Sequence, residues 1–218
     1  MRVAALYDVH GNRPALEAVL AEVEQEGVDE IVFGGDLFLG PQPAEIAQIV
    51  RTVEAHFIRG NCEREPDEWT QSQLDDATIE WAQSWPLTVE LDGVLYCHAA
   101  PKDDMRPILT DASPPERFDE ALNGVDARLV VAGHTHMQFT RDRWVNAGSI
   151  GMPYEDDVAA FWALVSEEVE FRRTPFDVER AAQEFLATGW PGAEPFVAEN
   201  LRVPPSRAEA TAHFESMA

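Results

Sequence analysis

The chain has 218 residues, with 40 Asp and Glu against 16 Lys and Arg, for a formal net charge of −24. That balance repels nucleic-acid phosphate and anionic lipid, so long nucleic acids and membrane surfaces are excluded as expected partners. The apolar fraction of 45% suits one large α/β domain, expected to span residues 1–218 with a helical extension over 176–218.

Val3 to Tyr7 is an apolar run ending at Asp8 and reads as a buried strand. Asn12 is placed to cap the next helix, Pro14 lies in its first turn, and Gly27 closes it after Leu16, Val19, Leu20 and Val23 at helical spacing. A second strand over Ile31 to Phe33 runs into Gly34-Gly35-Asp36. A helix is expected from Pro43 to about Glu54, and Phe57-Ile58 lead into Gly60-Asn61. This alternation implies a parallel sheet with crossover helices. Residues 63–85 read as helix covering one side of the core. Asp92-Gly93 between two apolar runs signals a hairpin. Pro101 to Pro115 reads as loop, and Leu129 to Ala132 as a buried strand ending at Gly133-His134-Thr135-His136. Short strands follow around Phe139, Trp144-Val145, Val158 to Val165 and Val169 to Arg172, then helices from Asp177 and Ser206. Parallel crossovers early and hairpins late imply an α/β sandwich of two mixed sheets flanked by helices.

Four of the six histidines, His10, His98, His134 and His136, directly follow apolar strand runs, as do Asp8, Asp36 and Asn61. Ligand sites in open α/β sheets lie beyond the carboxyl ends of strands, where the loops converge. Taken singly, a histidine at a strand end is more often structural, Asp36 could cap a helix, and Asn61 could be a turn residue. Together, seven nitrogen and oxygen donors at successive strand ends point to one metal site. In Asp8-x-His10 and His134-x-His136 the i, i+2 spacing lets both side chains reach one ion. The mixture of imidazole and carboxylate favours manganese, iron or zinc over calcium or magnesium.

In this order, Asp8-x-His10, Gly35-Asp36, Gly60-Asn61, His98 and Gly133-His134-x-His136 resemble the five motifs of the calcineurin-like metallophosphoesterase family, over residues 3–151. Asn146 to Gly151 also resembles the segment that follows the last motif in small bacterial and archaeal members. The resemblance implies a four-layer α/β/β/α sandwich and two divalent ions, manganese foremost, with iron, zinc, nickel or cobalt as substitutes. It implies one ion on Asp8, His10, Asp36 and His136, and another on Asn61, His98 and His134, with Asp36 bridging. The expected activity is hydrolysis of a small phosphodiester or phosphomonoester by a metal-bound hydroxide, with no protein nucleophile. The alternatives are a nucleotide or dinucleoside polyphosphate hydrolase, or a non-catalytic scaffold of the same fold.

Family protein phosphatases carry His where this chain has Cys62, and an Arg in the Gly-Asp-x-x-Asp-Arg-Gly motif that Gly35 to Gly40 lacks. Phosphoprotein substrates are therefore not expected. Asn12, Cys62 and Arg64 lie beside the motifs and are the candidates for contact with substrate; Lys102 and Tyr154 are also near. The only cysteines, Cys62 and Cys97, lie in no zinc-ribbon spacing. They suit a reducing compartment, and with no signal peptide legible a cytoplasmic location is expected. A homo-oligomer is compatible with the sequence.

Overall fold

Asp8, Asp36, Asn61, His98 and His134 each stand just past the end of a strand, and the topology explains why they converge. A computed structural model describes residues 1–218. From β1 (Val3–Leu6) the chain passes through α1 (Arg13–Glu26) to β2 (Glu30–Phe33), then through α2 (Pro43–Val50) to β3 (His56–Phe57). Three short helices follow, α3 (Asn61–Arg64), α4 (Glu68–Gln73) and α5 (Asp76–Gln83), and then the hairpin β4 (Thr88–Leu91) and β5 (Val94–Cys97). After α6 (Pro115–Ala121) come β6 (Leu129–Ala132), β7 (Gln138–Arg141), β8 (Trp144–Ala147), β9 (Ala160–Val165) and β10 (Val169–Thr174). The chain closes with α7 (Val178–Ala187), α8 (Ala193–Phe196) with a π-helical turn (Val197–Leu201), and α9 (Arg207–Met217).

The strands form two five-stranded sheets, ordered β10-β9-β1-β2-β3 and β4-β5-β6-β8-β7. β1, β2 and β3 are parallel, as are β5, β6 and β8, while β9 pairs antiparallel with β1 and β10, and β4 and β7 pair antiparallel with β5 and β8. Both sheets are mixed, as expected. Tyr7, Val32, Ile58, Tyr96, Val131 and Val145 pack between the sheets. Leu16, Val19, Ile46 and Ala82 on the helices cover the outer face of the first sheet, meeting Leu6, Phe33 and Trp162. Phe118 of α6 covers the second, beside Phe139 and Trp144. Every residue of β9 is buried because it faces both cores, which accounts for its unbroken apolar run.

Local chemistry sets the boundaries. Asn12 caps α1 by accepting from the Ala15 amide at 3.1 Å, and Gly27 takes the left-handed conformation (φ 59°) at its end. α2 stops at Val50, four residues short of Glu54. There the Thr52 hydroxyl donates back to the Ile49 carbonyl at 2.7 Å, competing with helix continuation. The expected helical stretch over 63–85 is divided, because Asp67 and Asp75 each accept a backbone amide at 2.8 Å and start a new helix. No helix is long and apolar enough to cross a membrane.

The C-terminal helices pack back on the sheets. Glu184 of α7 pairs with Arg13 of α1 at 2.7 Å. α9 opens with a capping box between Ser206 and Glu209 and is held near both ends. Arg207 donates to Glu155 at 2.7 Å and to the Gln138 carbonyl at 2.8 Å. Glu215 accepts from the Thr110 hydroxyl at 2.6 Å and pairs with Arg117 at 3.1 Å.

Candidate metal centre

Five of the seven expected ligands sit in the left-handed region: Asp8 at φ 53°, His10 at 46°, Asp36 at 54°, His134 at 68° and His136 at 57°. Non-glycine residues adopt this conformation at a cost, and such positions cluster where function imposes them. The backbone is correspondingly tight. Gly35 has φ 96°, and a side chain there would meet the Gly60 amide nitrogen at 2.7 Å and His98 Nδ1 at 2.8 Å. A Cβ on Gly133 would collide with Asp8 Oδ2.

The histidines are oriented from behind. His10 Nδ1 lies 3.3 Å from the Leu39 carbonyl, His136 Nδ1 2.7 Å from the Met152 carbonyl and His98 Nδ1 2.9 Å from the Gly34 carbonyl. Each Nδ1 therefore carries a proton and donates it, which turns Nε2 inward, with a free lone pair there once the ring is neutral. His10 Nε2 and His136 Nε2 face each other at 3.1 Å, and His136 Nε2 lies 3.2 Å from Asp8 Oδ1. That Asp8 oxygen is buried with no hydrogen-bond partner. Lone pairs converging on an unpartnered carboxylate oxygen suit a cation. His98 Nε2 likewise faces Asn61 Oδ1 at 3.1 Å and Asp36 Oδ2 at 3.5 Å. The ligand atoms of Asp8, His10 and His136 lie within 4.8 Å of one another, as do those of Asp8, Asp36 and His98, and of His10, Asp36 and Cys62. Asp36 is common to the last two groups. The donor set therefore fits divalent cations.

The electrostatics follow from burial and proximity. Burial pushes Asp8 and Asp36 up, but the imidazoles of His136 and His98 outweigh it and hold both carboxyls below their ordinary range. Burial lowers His10 and His134 to about 4, so both rings are neutral and able to ligate at pH 7. Burial also disfavours charge on His98, yet the Asp36 carboxylate overrides it and pushes the ring up to about 10. Burial, reinforced by Asp36, raises the Cys62 thiol well above its usual value. Cys62 is thus a neutral thiol, donating to Asp36 Oδ2 at 3.0 Å while its amide donates to Oδ1 at 2.9 Å.

Above these groups lies a cavity of about 430 Å³, lined by His10, Asp36, Asn61, His134 and His136; Asp8 and His98 are buried beneath it. Of the three residues expected to touch substrate, only Cys62 lines it. Asn12 is fully buried and uses its amide internally, accepting at the α1 cap and donating to the Gly151 carbonyl at 3.2 Å. Arg64 turns aside to the buried carboxylate of Asp104. Lys102 donates to the Asn123 carbonyl at 2.7 Å, whereas Tyr154 lines the cavity and stacks on His136 at 5.1 Å.

Glu63 escaped the sequence reading. It is buried and accepts from the amides of Asp36 at 2.8 Å, Leu37 at 2.7 Å and Gly60 at 2.9 Å, so it clamps the Asp36 turn to the Asn61 turn. Its signal was an acid three residues after Gly60, the helix N-cap position, where a carboxylate can reach back to the cap amide.

Comparison with known proteins decides the family. A profile described as "Calcineurin-like phosphoesterase superfamily domain" matches residues 1–168. The chain belongs to the calcineurin-like phosphoesterases. Among the relatives of this calcineurin-like phosphoesterase, the Escherichia coli K12 phosphodiesterase YfcE is 29% identical over an alignment 182 positions long, which covers 75% of this chain and 87% of that protein. The uncharacterised protein MJ0912 of Methanocaldococcus jannaschii is 23% identical over an alignment 232 positions long, which covers 87% of this chain and 93% of that protein. A metallophosphoesterase structure from Sphaerobacter thermophilus superposes with TM-score 0.76 at 23% identity, covering 91% of this chain and 97% of that one. This likeness shows the shared phosphoesterase fold.

Proposed function

We propose that this calcineurin-like phosphoesterase is a dinuclear metal-dependent hydrolase of a small phosphodiester or phosphomonoester. The observation that carries this reading is the inward convergence of the His10, His98 and His136 Nε2 atoms on the Asp8 and Asp36 carboxylates. Asp8, His10, Asp36 and His136 would hold one ion and Asn61, His98 and His134 the other, with Asp36 shared. Divalent cations bound there would supply Lewis acidity at the phosphoryl oxygens and a water acidified towards neutral pH. The chain's own work is positioning. Backbone carbonyls fix three imidazole tautomers, and Glu63 fixes the amides around Asp36. Burial and the Asp36 carboxylate favour the protonated Cys62 thiol, which donates to Asp36 Oδ2.

A net charge of −24 and a cavity of about 430 Å³ favour a small substrate over a polymer. The phosphodiesterase name of YfcE favours the diester. The same reading takes residues 1–218 as one functional unit, since α9 contributes to the cavity wall.

The test is hydrolysis of bis-p-nitrophenyl phosphate beside p-nitrophenyl phosphate, with added manganese and after chelation. Manganese-dependent cleavage of the diester is expected, abolished by chelator. A strong monoester preference would make the protein a phosphatase. No turnover of either ester with any divalent ion would overturn the reading in favour of a scaffold.

A further inference from the structure

The cavity above the candidate metal centre has two unlike sides. One carries the metal-facing groups. The other is built from Met152, Tyr154, Ala210 and Phe214, with Glu209 and His213 beside them. Ala210 and Phe214 belong to α9, which lies outside the 168 residues that the family profile matches.

We propose that Tyr154 and α9 form a wall selecting phosphoesters with a flat, uncharged aryl or heteroaryl substituent, and that Phe214 is its specificity-determining residue. The proposal rests on the phosphoesterase reading and names the substrate class of that same site. Three observations carry it.

Tyr154 lies nearly parallel to His136, at 21° with ring centroids 5.1 Å apart, and Phe214 stands 6.1 Å from Tyr154 at 47°. Aromatic surface thus runs outward from a ligand imidazole, where a ring on the phosphoryl group would meet it. Secondly, α9 is fixed in place. Arg207 ties its start to Glu155 and the Gln138 carbonyl, Glu215 ties its end to Thr110 and Arg117, and the Thr211 hydroxyl reaches Met137 Sδ at 3.5 Å. A wall held this way is preorganised, so a ligand does not spend binding energy ordering it.

Thirdly, neither Lys nor Arg lines the cavity, whereas Glu209 does. A second phosphate or a polyphosphate tail would face that carboxylate with no Lys or Arg to receive it. This argues against dinucleoside polyphosphates and for a single phosphoryl group bearing a neutral ring.

The test measures binding by calorimetry on manganese-loaded full-length protein, using the non-hydrolysable probes phenylphosphonate and methylphosphonate. Metal content is checked in each sample. Phenylphosphonate is expected to bind about tenfold tighter, the contribution of a well-packed aromatic contact. Phe214→Ala should cut that preference to about threefold or less. Phe214→Leu, which keeps apolar volume under α9, should give an intermediate value. A wild-type preference below twofold overturns the proposal, and so does a preference undiminished in both variants. The two readings fail separately. Nitrophenyl ester turnover without a phenyl preference removes the wall and leaves the phosphoesterase. A phenyl preference lost in the variants, without turnover of either ester, supports the wall and removes the hydrolase.

Discussion

The carboxylate of Glu63 holds the backbone amide of Asp36 at 2.8 Å, and the same oxygen holds the Gly60 amide at 2.9 Å. One buried side chain therefore sets the spacing between the turns after β2 and β3. Glu63→Gln turns one acceptor into a donor and sets it against a backbone N–H. The expected cost is about 1–3 kcal/mol of stability, with a fall of roughly 10–100-fold in metal affinity or turnover. Thermal unfolding and metal titration check both, and unchanged metal affinity would reduce Glu63 to a structural residue.

Asp36→Ala removes the carboxylate proposed to be shared by both ions. Turnover should fall by more than ~100-fold, and metal content should drop from about two ions per chain to below one. Elemental analysis after gel filtration reads this directly. Full occupancy in the variant would show that Asp36 is not the bridge.

Gly133→Ala places a methyl group against Asp8 Oδ2, beneath the cavity. The collision is with a fully buried carboxylate that also accepts the His134 amide at 2.9 Å, so it has little freedom to yield. Turnover is expected to fall by ~100-fold or more, with destabilisation of about 1–3 kcal/mol. A variant that folds, loads metal and turns over like the wild type would show that the turn relaxes freely.

The raised pKa of His98, about 10 beside Asp36, has a definite sign. Below that pH the chelated protein keeps a proton on the imidazole; an ion bound by Nε2 must displace it. Loading at pH 8 should therefore release about one proton per chain from His98. Apparent affinity should climb roughly tenfold per pH unit from about 7 and level off above 10. His10 and His134, at about 4, are already neutral over this range and add no release. Calorimetry in buffers of unlike ionisation enthalpy measures the proton count. Heats independent of buffer would contradict it.

The strands and the donor residues after them were legible because buried parallel strands read as short apolar runs, and an Asp, Asn or His follows each of β1, β2, β3, β5 and β6 within four residues. Glu63 was not, being one of 40 acids whose importance depends on a three-way amide contact made only after Gly60 and Asp36 meet. Arg64 lies two residues after Cys62 in sequence, but the α3 turn directs it to Asp104. The position of α9 was also invisible. Its capping box announces a helix, whereas its place over the cavity depends on Glu215 reaching Thr110 and Arg117, about a hundred residues away.

The seven candidate ligands do not come from one sheet. Asp8, His10, Asp36 and Asn61 follow β1, β2 and β3, while His98, His134 and His136 follow β5 and β6 of the other sheet. Elsewhere the sheets meet through apolar side chains and a few bonds such as Tyr7 Oη to the Val131 carbonyl at 2.9 Å. Ions held as proposed would rivet the two sheets at one end, and their binding would add to the stability of the folded chain. Metal supply would then become a mechanical variable of the protein: a starved chain would keep both sheets, joined at that end only by bonds such as His98 Nδ1 to the Gly34 carbonyl and the His134 amide to Asp8.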